Sequence, residues 1–544
     1  MARTRSTSPG SIDPAHPLTG RRVEIGRTAV LAVAGAVAGS VAIAGSELFA
    51  GLVAGAPSLI VAVGSLVISL QPPGAKEVFV DLFGTNDKAA LNGLIVIAAV
   101  AIAATAGMLA GRRIWLGWAI FGAFGLVALG AALSQPLVQP ALAVVNASLA
   151  VVLGGIALTI LVRLAPLGRP ANRASAAQAG SSPPASMPDW DRRRFLLASA
   201  GTLAGAVVVG QLGRALVDAQ HPAGVVSTSR LPAPLRSVPP IASDQALTTP
   251  GLTPLIVPTD QFYRIDTALL VPQVNVRTWK LELSGMVDRP FSLTYDELLA
   301  MPLFEQYVTI ACVSNRVGGN LVGNALWTGV RLKDLLEKAG VQAGATQIVG
   351  RSVDGFTVGF PTSWATAAGR EPMVAVGMNR DFLPADHGYP ARLIVPGLYG
   401  YVSATKWLRS IDLTTREAVD GYWVPLGWAK DAPILTQSRI DTPAAGKGVA
   451  VGSIDVAGVA WAPDRGIARV EVSFDDGDWQ EAMISQPISD ATWVQWRVSW
   501  AAVPGRHTIE VRATDRTGDV QTDQPTDTAP SGARGHHRIS VTAG

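Results

Sequence analysis

A single cysteine, Cys312, stands in a chain of 544 residues. It excludes an intramolecular disulfide and any zinc site built from paired cysteines. Histidine is almost as sparse, six in all, and none lies in the apolar N-terminal half between His16 and His221. Bis-histidine haem within those apolar runs therefore has no ligands, and no Cys-x-x-Cys-His is present for covalent attachment, so no haem is expected. Charged residues make up only 16 % and the formal net charge is +3. With Lys and Arg so dispersed, nucleic acid is not an expected partner. Against these scarcities the hydrophobic fraction is 49 %, which points to a membrane part joined to a globular part.

Residues 1–26 read as a polar cytoplasmic tail, with Arg21, Arg22 and Arg27 ahead of the first apolar run. Apolar stretches follow at 28–55, 57–71, 90–110, 114–133 and 142–165, so 27–165 is expected to be an all-α transmembrane bundle. About twenty apolar residues are needed to span a bilayer. The 57–71 stretch falls short of that and is bounded by Pro57 and Pro72-Pro73. If Arg112, Arg113, Arg163, Arg169 and Arg173 are cytoplasmic, the Lys76–Lys88 loop lies outside. With Arg21 and Arg22 also inside, only one crossing fits before that loop, and 57–71 is expected to be re-entrant or interfacial. Glu47 lies inside the first run, either as a functional carboxylate (a proton or quinone site) or near the outer interface. The interfacial placement is the expectation.

Residues 166–193 form a Pro/Ala/Ser linker that ends in Asp191-Arg192-Arg193-Arg194-Phe195-Leu196-Leu197. That motif, before the weakly apolar helix expected at 194–212, resembles a twin-arginine export signal. The same arginines would also serve an ordinary anchor with positive-inside flanks. No small-residue cleavage site follows, so the helix is expected to stay as an anchor. Residues 213–250 read as a flexible extracytoplasmic tether. The expected location is the cell membrane, multi-pass, with the catalytic domain on the extracytoplasmic side.

From 251 to 420 the pattern becomes short strands and helices, an α+β domain. Strands are expected at Trp279–Ser284 and Tyr307–Ala311, with a turn at Asp288-Arg289-Pro290. Thr294 can cap a helix, and Leu332–Ala339 reads as a helix ending at Gly340. The run Tyr307–Ala311 delivers Cys312 to a turn of small and polar residues, where a side chain is held rigidly and faces a ligand. Three roles are open to a lone cysteine there: a small buried hydrophobe, a nucleophile, or one thiolate bond to a metal that brings its other ligands.

Cys312-Val313-Ser314-Asn315-Arg316, followed by Gly318-Gly319 and Ala325-Leu326-Trp327-Thr328-Gly329-Val330, resembles the molybdenum-binding segment of the sulfite oxidase family. A second match runs from Leu383-Pro384-Ala385-Asp386-His387-Gly388-Tyr389-Pro390-Ala391-Arg392 through Val395–Gly400 to Lys406-Trp407-Leu408. The resemblance implies that Cys312 binds molybdenum beside the two dithiolene sulfurs of one molybdopterin. It implies that His387, Arg392 and Lys406 wrap the pterin and its phosphate, a task that suits a guanidinium fork and a point charge. Asn315 and Arg316 follow the ligand, and Arg264, in Phe262-Tyr263-Arg264, resembles the family's arginine near the metal. Arg264 and Arg316 are thereby expected to steer substrate and to stabilise charge during oxygen-atom transfer.

The sequence also departs from that family. Val317 stands where sulfite-oxidising members carry a second arginine, Phe356 where they carry a tyrosine, and Ile265-Asp266 where Asn-His is common. A small dianion should bind less well in such a pocket.

Residues 421–544 read as an antiparallel sandwich, with strands at Gly448–Val456, Ala468–Phe474, Trp493–Trp500 and Thr508–Ala513. Gly458-Val459-Ala460-Trp461, with Trp479 and Trp496, resembles the family's immunoglobulin-like dimerisation domain, and these tryptophans are expected in the core. A homodimer is thus a candidate assembly.

Together these readings give a membrane-anchored oxidoreductase for a small-molecule substrate, with electrons passing to a separate carrier or quinone. Two alternatives stand beside it: a sulfoxide or N-oxide reductase on the same centre, and a non-catalytic membrane sensor or scaffold with a degenerate fold.

Overall fold

The structure, a computed structural model, describes residues 17–71, 87–136, 138–165, 188–219, 230–242 and 245–544, without the side chains of 17–26, 87, 188–192 and 218. The side chains of Arg21, Arg22 and Arg192, the loop 76–86, the linker 166–187 and residues 220–229 lie outside the described residues. The chain divides near residue 220 into two compact units.

The first unit is helical: α1 (Pro17–Leu52), α2 (Leu59–Ser69), α3 (Asp87–Ala110), α4 (Ile114–Leu133), α5 (Pro140–Leu164) and α6 (Pro188–Ala219). Among the described residues, five helices are long and apolar enough to cross a membrane, within α1, α3, α4, α5 and α6. Helix α1 packs against α3, α5 and α6. Small residues permit this: Gly35 of α1 faces Gly107 of α3 so closely that a Cβ on either would overlap a main-chain oxygen of the other helix. Helix α2 has 11 residues, about 16 Å of helix against a hydrocarbon core of about 30 Å. Two boundaries differ from the sequence reading. Helical backbone begins at Pro17, within the expected tail, and α6 extends beyond 194–212 at both ends. Phe195 of the arginine motif is buried against Ala34, Val37 and Leu161.

The second unit begins with β1 (Lys280–Gly285), β2 (Phe291–Thr294), α7 (Tyr295–Leu299), β3 (Leu303–Ala311), β4 (Val322–Arg331) and α8 (Leu332–Ala339). It continues with β5 (Gln347–Ser352), β6 (Thr357–Pro361), α9 (Thr362–Thr366), β7 (Met373–Met378), β8 (Asp381–Phe382), β9 (Arg392–Ile394), α10 (Gly400–Ser403) and β10 (Leu408–Thr414). One sheet has the order β2-β1-β10-β5-β6, and the other β3-β4-β7-β8 with β9 also on β7. Local signals behave as their chemistry requires. Thr294 and Glu297 form a reciprocal capping box on α7, and Gly340 closes α8 at φ 69°.

The C-terminal part has β11 (Gln437–Thr442), β12 (Gly448–Val449), β13 (Gly452–Trp461), β14 (Ile467–Phe474), β15 (Gln480–Glu481), β16 (Met483–Ile484), β17 (Val494–Ala502), β18 (Gly505–Asp515) and β19 (His537–Ala543). They form two sheets, β11-β13-β17-β16 and β12-β19-β18-β14-β15, whose Ile440, Val456, Val470, Trp496, Ile509 and Val541 share one core. Trp461 is buried in the larger core of the preceding domain. Trp479 is the exception among the expected core tryptophans: it is half-buried and carries the Arg512 guanidinium 4.2 Å from its ring centroid, a cation–π contact at the surface.

The tether expected over 213–250 also differs. Residues around Leu235–Val238 lie along strand β3: Leu235 N–H donates to Leu303 O at 2.8 Å and Glu305 N–H to Arg236 O at 2.9 Å. The Glu305 carboxylate accepts from Val238 N–H at 3.0 Å. An edge strand presents unpaired backbone groups, and this extended segment satisfies them.

Candidate functional site

Cys312 follows β3 directly and is half-buried, with a free thiol. Its turn is tied from within. Cys312 N–H donates to Leu321 O at 2.9 Å and Asn315 N–H to Cys312 O at 3.1 Å. Asn315 Oδ1 accepts from Leu321 N–H at 2.8 Å, so this side chain holds the turn. Arg316 is exposed on the same turn.

The C-terminal sheets brace the turn from outside. Arg439 Nη1 donates to Gly319 O at 2.8 Å. Gly318 has φ 77° and abuts the His537 ring, where a Cβ would overlap. His537 Nδ1 accepts from Ile440 N–H at 2.9 Å, and burial pushes its pKa down to about 4, helped by Arg439.

His387, Arg392 and Lys406 form one buried cluster, with the exposed Arg264 at its edge. His387 is 5 % exposed, and its Nε2 lies 3.0 Å from Thr259 O, which makes Nε2 the donor and Nδ1 a lone-pair acceptor. Burial, then Lys406 and Arg392, push its pKa down to about 4, so the ring is neutral at pH 7. Arg392 is 3 % exposed, lies 5.0 Å from the Trp327 ring centroid, and donates from Nη1 to His387 O at 3.0 Å. Burial pushes its pKa down to about 10. Lys406 Nζ donates to Asp386 O at 2.9 Å and to Asp266 Oδ2 at 3.1 Å. Burial brings its pKa down to about 8, while Asp266 opposes that fall. Arg264 Nε also meets Asp266 Oδ2, at 3.1 Å.

Tyr263 lies near enough to Cys312 and to Arg392 to sense both. Burial and the Cys312 sulfur push the Tyr263 phenol above its ordinary range, and the Arg392 charge opposes them. The ring stacks on Phe262 at 5.2 Å, and Phe262 in turn meets His387 edge-on at 5.7 Å. Sequence reasoning quoted Tyr263 without giving it a role, and noted Asp266 without its partners. Phe356 lies against Tyr422 at 5.7 Å, so a phenol stands beside the position that lacks one.

Among the described residues, no group of three or more His, Cys, Asp or Glu side chains is placed to hold a metal. Among these residues, a metal at Cys312 finds no complete protein ligand set, and a bound group would supply its other donors. The residues fit a dithiolene pterin with a phosphate: one thiol, one neutral imidazole whose Nδ1 has no partner, and a buried guanidinium whose Nε has none.

Two family models match the second unit. The model described as oxidoreductase molybdopterin binding domain covers residues 268–423, and the Mo-co oxidoreductase dimerisation domain covers 431–542. Sulfite oxidase of Arabidopsis thaliana is 26 % identical over 324 residues, 49 % of this chain and 82 % of that protein. Mitochondrial sulfite oxidase of Homo sapiens is 28 % identical over 351 residues, 56 % of this chain and 62 % of that protein. Nitrate reductase [NADH] 1 of Oryza sativa is 27 % identical over 318 residues, 47 % of this chain and 34 % of that protein. The chain thus spans less than two thirds of the human and rice proteins it matches. These matches support a sulfite oxidase-like, molybdenum-dependent oxidoreductase with a molybdopterin-binding domain and a C-terminal dimerisation domain.

Proposed function

We propose that this chain is a membrane-anchored, extracytoplasmic molybdopterin-dependent oxidoreductase in which Cys312 is the protein's thiolate ligand to molybdenum. The observation that carries this is the pairing of a braced, half-buried thiol with a buried cationic cluster that holds two unpartnered nitrogens, His387 Nδ1 and Arg392 Nε. The bound centre supplies two-electron oxygen-atom transfer. The chain's residues bind and orient. Neutral His387 accepts from a pterin N–H rather than pairing with phosphate. Arg392 and Lys406 hold the phosphate, and Asn315 fixes the turn that presents Cys312. Arg264 and Arg316 serve the substrate side, and Tyr263 adds a phenol near Cys312 and Arg392.

Five apolar helices of spanning length support the anchor, and the arginine distribution along the chain supports an extracytoplasmic domain exported with a twin-arginine signal. Electrons pass to a separate carrier or quinone, and the C-terminal domain pairs two copies.

A second reading, reduction of a neutral sulfoxide or N-oxide, is favoured by one observation. Asp266 Oδ2 lies 3.1 Å from Arg264 Nε and offsets the charge that this arginine offers, which weakens the case for a dianionic substrate such as sulfite.

The test is molybdenum per chain in detergent-purified protein, wild type beside Cys312→Ser. Near-stoichiometric metal that is lost in the variant, or that loses its thiolate spectroscopic signature, supports the centre. Metal-free wild type from a host that makes molybdopterin would replace it with the scaffold reading.

A further inference from the structure

In the helical unit, α1 to α5 line an apolar cavity that is open on one side. Ala42, Val96, Phe121, Phe124 and other apolar residues or glycines form its walls, and Ser46 is its one polar lining side chain. Ser46 is 3 % exposed, and its Oγ has no hydrogen-bond partner. A buried hydroxyl without a partner is costly, so its presence in an apolar wall calls for an acceptor inside the cavity.

The end at Ser46 is polar behind the wall as well. Glu47, the next residue, is 2 % exposed and accepts from Ser58 Oγ at 2.7 Å, with Arg214 Nη1 3.7 Å away. Ser58 caps α2, whose first residues Leu59 and Ile60 line the cavity. The buried carboxylate is thus tied off at the polar end of an apolar chamber.

We propose that this chamber binds an isoprenoid quinone, with one ring carbonyl accepting from Ser46 Oγ and the ring and first isoprenoid units filling the apolar walls. No cation lines the chamber, so neither a phosphate headgroup nor a fatty carboxylate has a counter-charge there. A neutral head with a carbonyl acceptor matches the lone donor. The choice of a quinone over another neutral amphiphile rests on the oxidoreductase reading above; the site itself does not.

The experiment is calorimetric titration of decylubiquinone into the full chain in lipid nanodiscs, for wild type, Ser46→Ala, Ala99→Phe and Cys312→Ser. Saturable binding near one per chain is expected. It should weaken at least threefold in Ser46→Ala, which removes only the donor, and at least tenfold in Ala99→Phe, which fills the chamber. Cys312→Ser should bind like wild type even where it has lost its metal, which separates this site from the molybdenum reading. Non-saturable partitioning, equal binding in wild type and Ser46→Ala, or equally tight binding of 1-decanol would each overturn the proposal.

Discussion

Lys406 Nζ lies 3.1 Å from Asp266 Oδ2, and both side chains are buried, at 9 % and 5 % exposure. The sequence thus places a carboxylate where the resemblance expects cations to meet a phosphate. Lys406 titrates near 8 because burial outweighs Asp266, so its grip on an anion should fade as pH rises through that value. In cofactor-free protein, the rise in melting temperature given by sulfate should therefore fall between about pH 7 and 9. Asp266→Asn removes the group that favours the charged amine. Its sulfate effect should be larger near pH 6 and vanish at least one pH unit earlier.

Arg392 is a buried guanidinium with an unpartnered Nε, a costly arrangement unless an anion completes it. Arg392→Met should therefore act in opposite directions on two measurements. Chemical denaturation of the cofactor-free protein should show a gain of about 1–3 kcal/mol. Molybdenum retained per chain should fall at least tenfold. A loss on both would mean that the arginine is a structural element alone.

Gly318 carries both a left-handed φ of 77° and contact with His537. Gly318→Ala should cost about 1–3 kcal/mol for backbone strain, plus the displacement of the ring. Gly369, at φ 84° with open space around it, provides the control. Gly369→Ala meets only the backbone cost, so the difference in melting temperature between the two variants measures the brace. Metal content should drop only in the first.

His387 and His537 both titrate near 4 in the folded chain, against about 6.5 when unfolded. Between those values the unfolded chain binds more protons, so stability rises with pH across the window. It is fully present above about pH 6.5, falls as pH drops through 6 and 5, and levels off below about 4. Denaturation midpoints at pH 7 and pH 4.5 should show that loss, and His537→Gln should flatten the slope.

What was legible in the sequence was local. The capping box of Thr294 and Glu297, the Gly340 stop and the strand feeding Cys312 each depend on neighbours within a few residues, and each folds as its chemistry dictates. The hidden features are long-range. Asp266 meets Lys406 across 140 positions, and neither residue's surroundings announce the other. Pro- and Ser-rich composition is the same for a free tether and for a segment that covers a strand edge, so composition does not foretell the packing of residues near Leu235 on β3. The resemblance to the dimerisation domain places Trp479 in the core, yet it is half-buried and the Arg512 guanidinium covers its ring.

The strand that carries Cys312 is completed late in the order of synthesis. Thr309 N–H donates to Ala491 O at 2.9 Å, and Thr309 Oγ1 accepts from Trp493 N–H across 184 positions. Residues near Leu235 cover the Leu303 end of β3 early, but while the chain is still emerging from the ribosome the Thr309 end stays open until Ala491 has been made, a stage at which such edges invite pairing with other chains. A catalytic domain cut off near residue 430 would keep that exposed edge permanently. Removal of the C-terminal domain should therefore be felt first as a poor yield of folded protein.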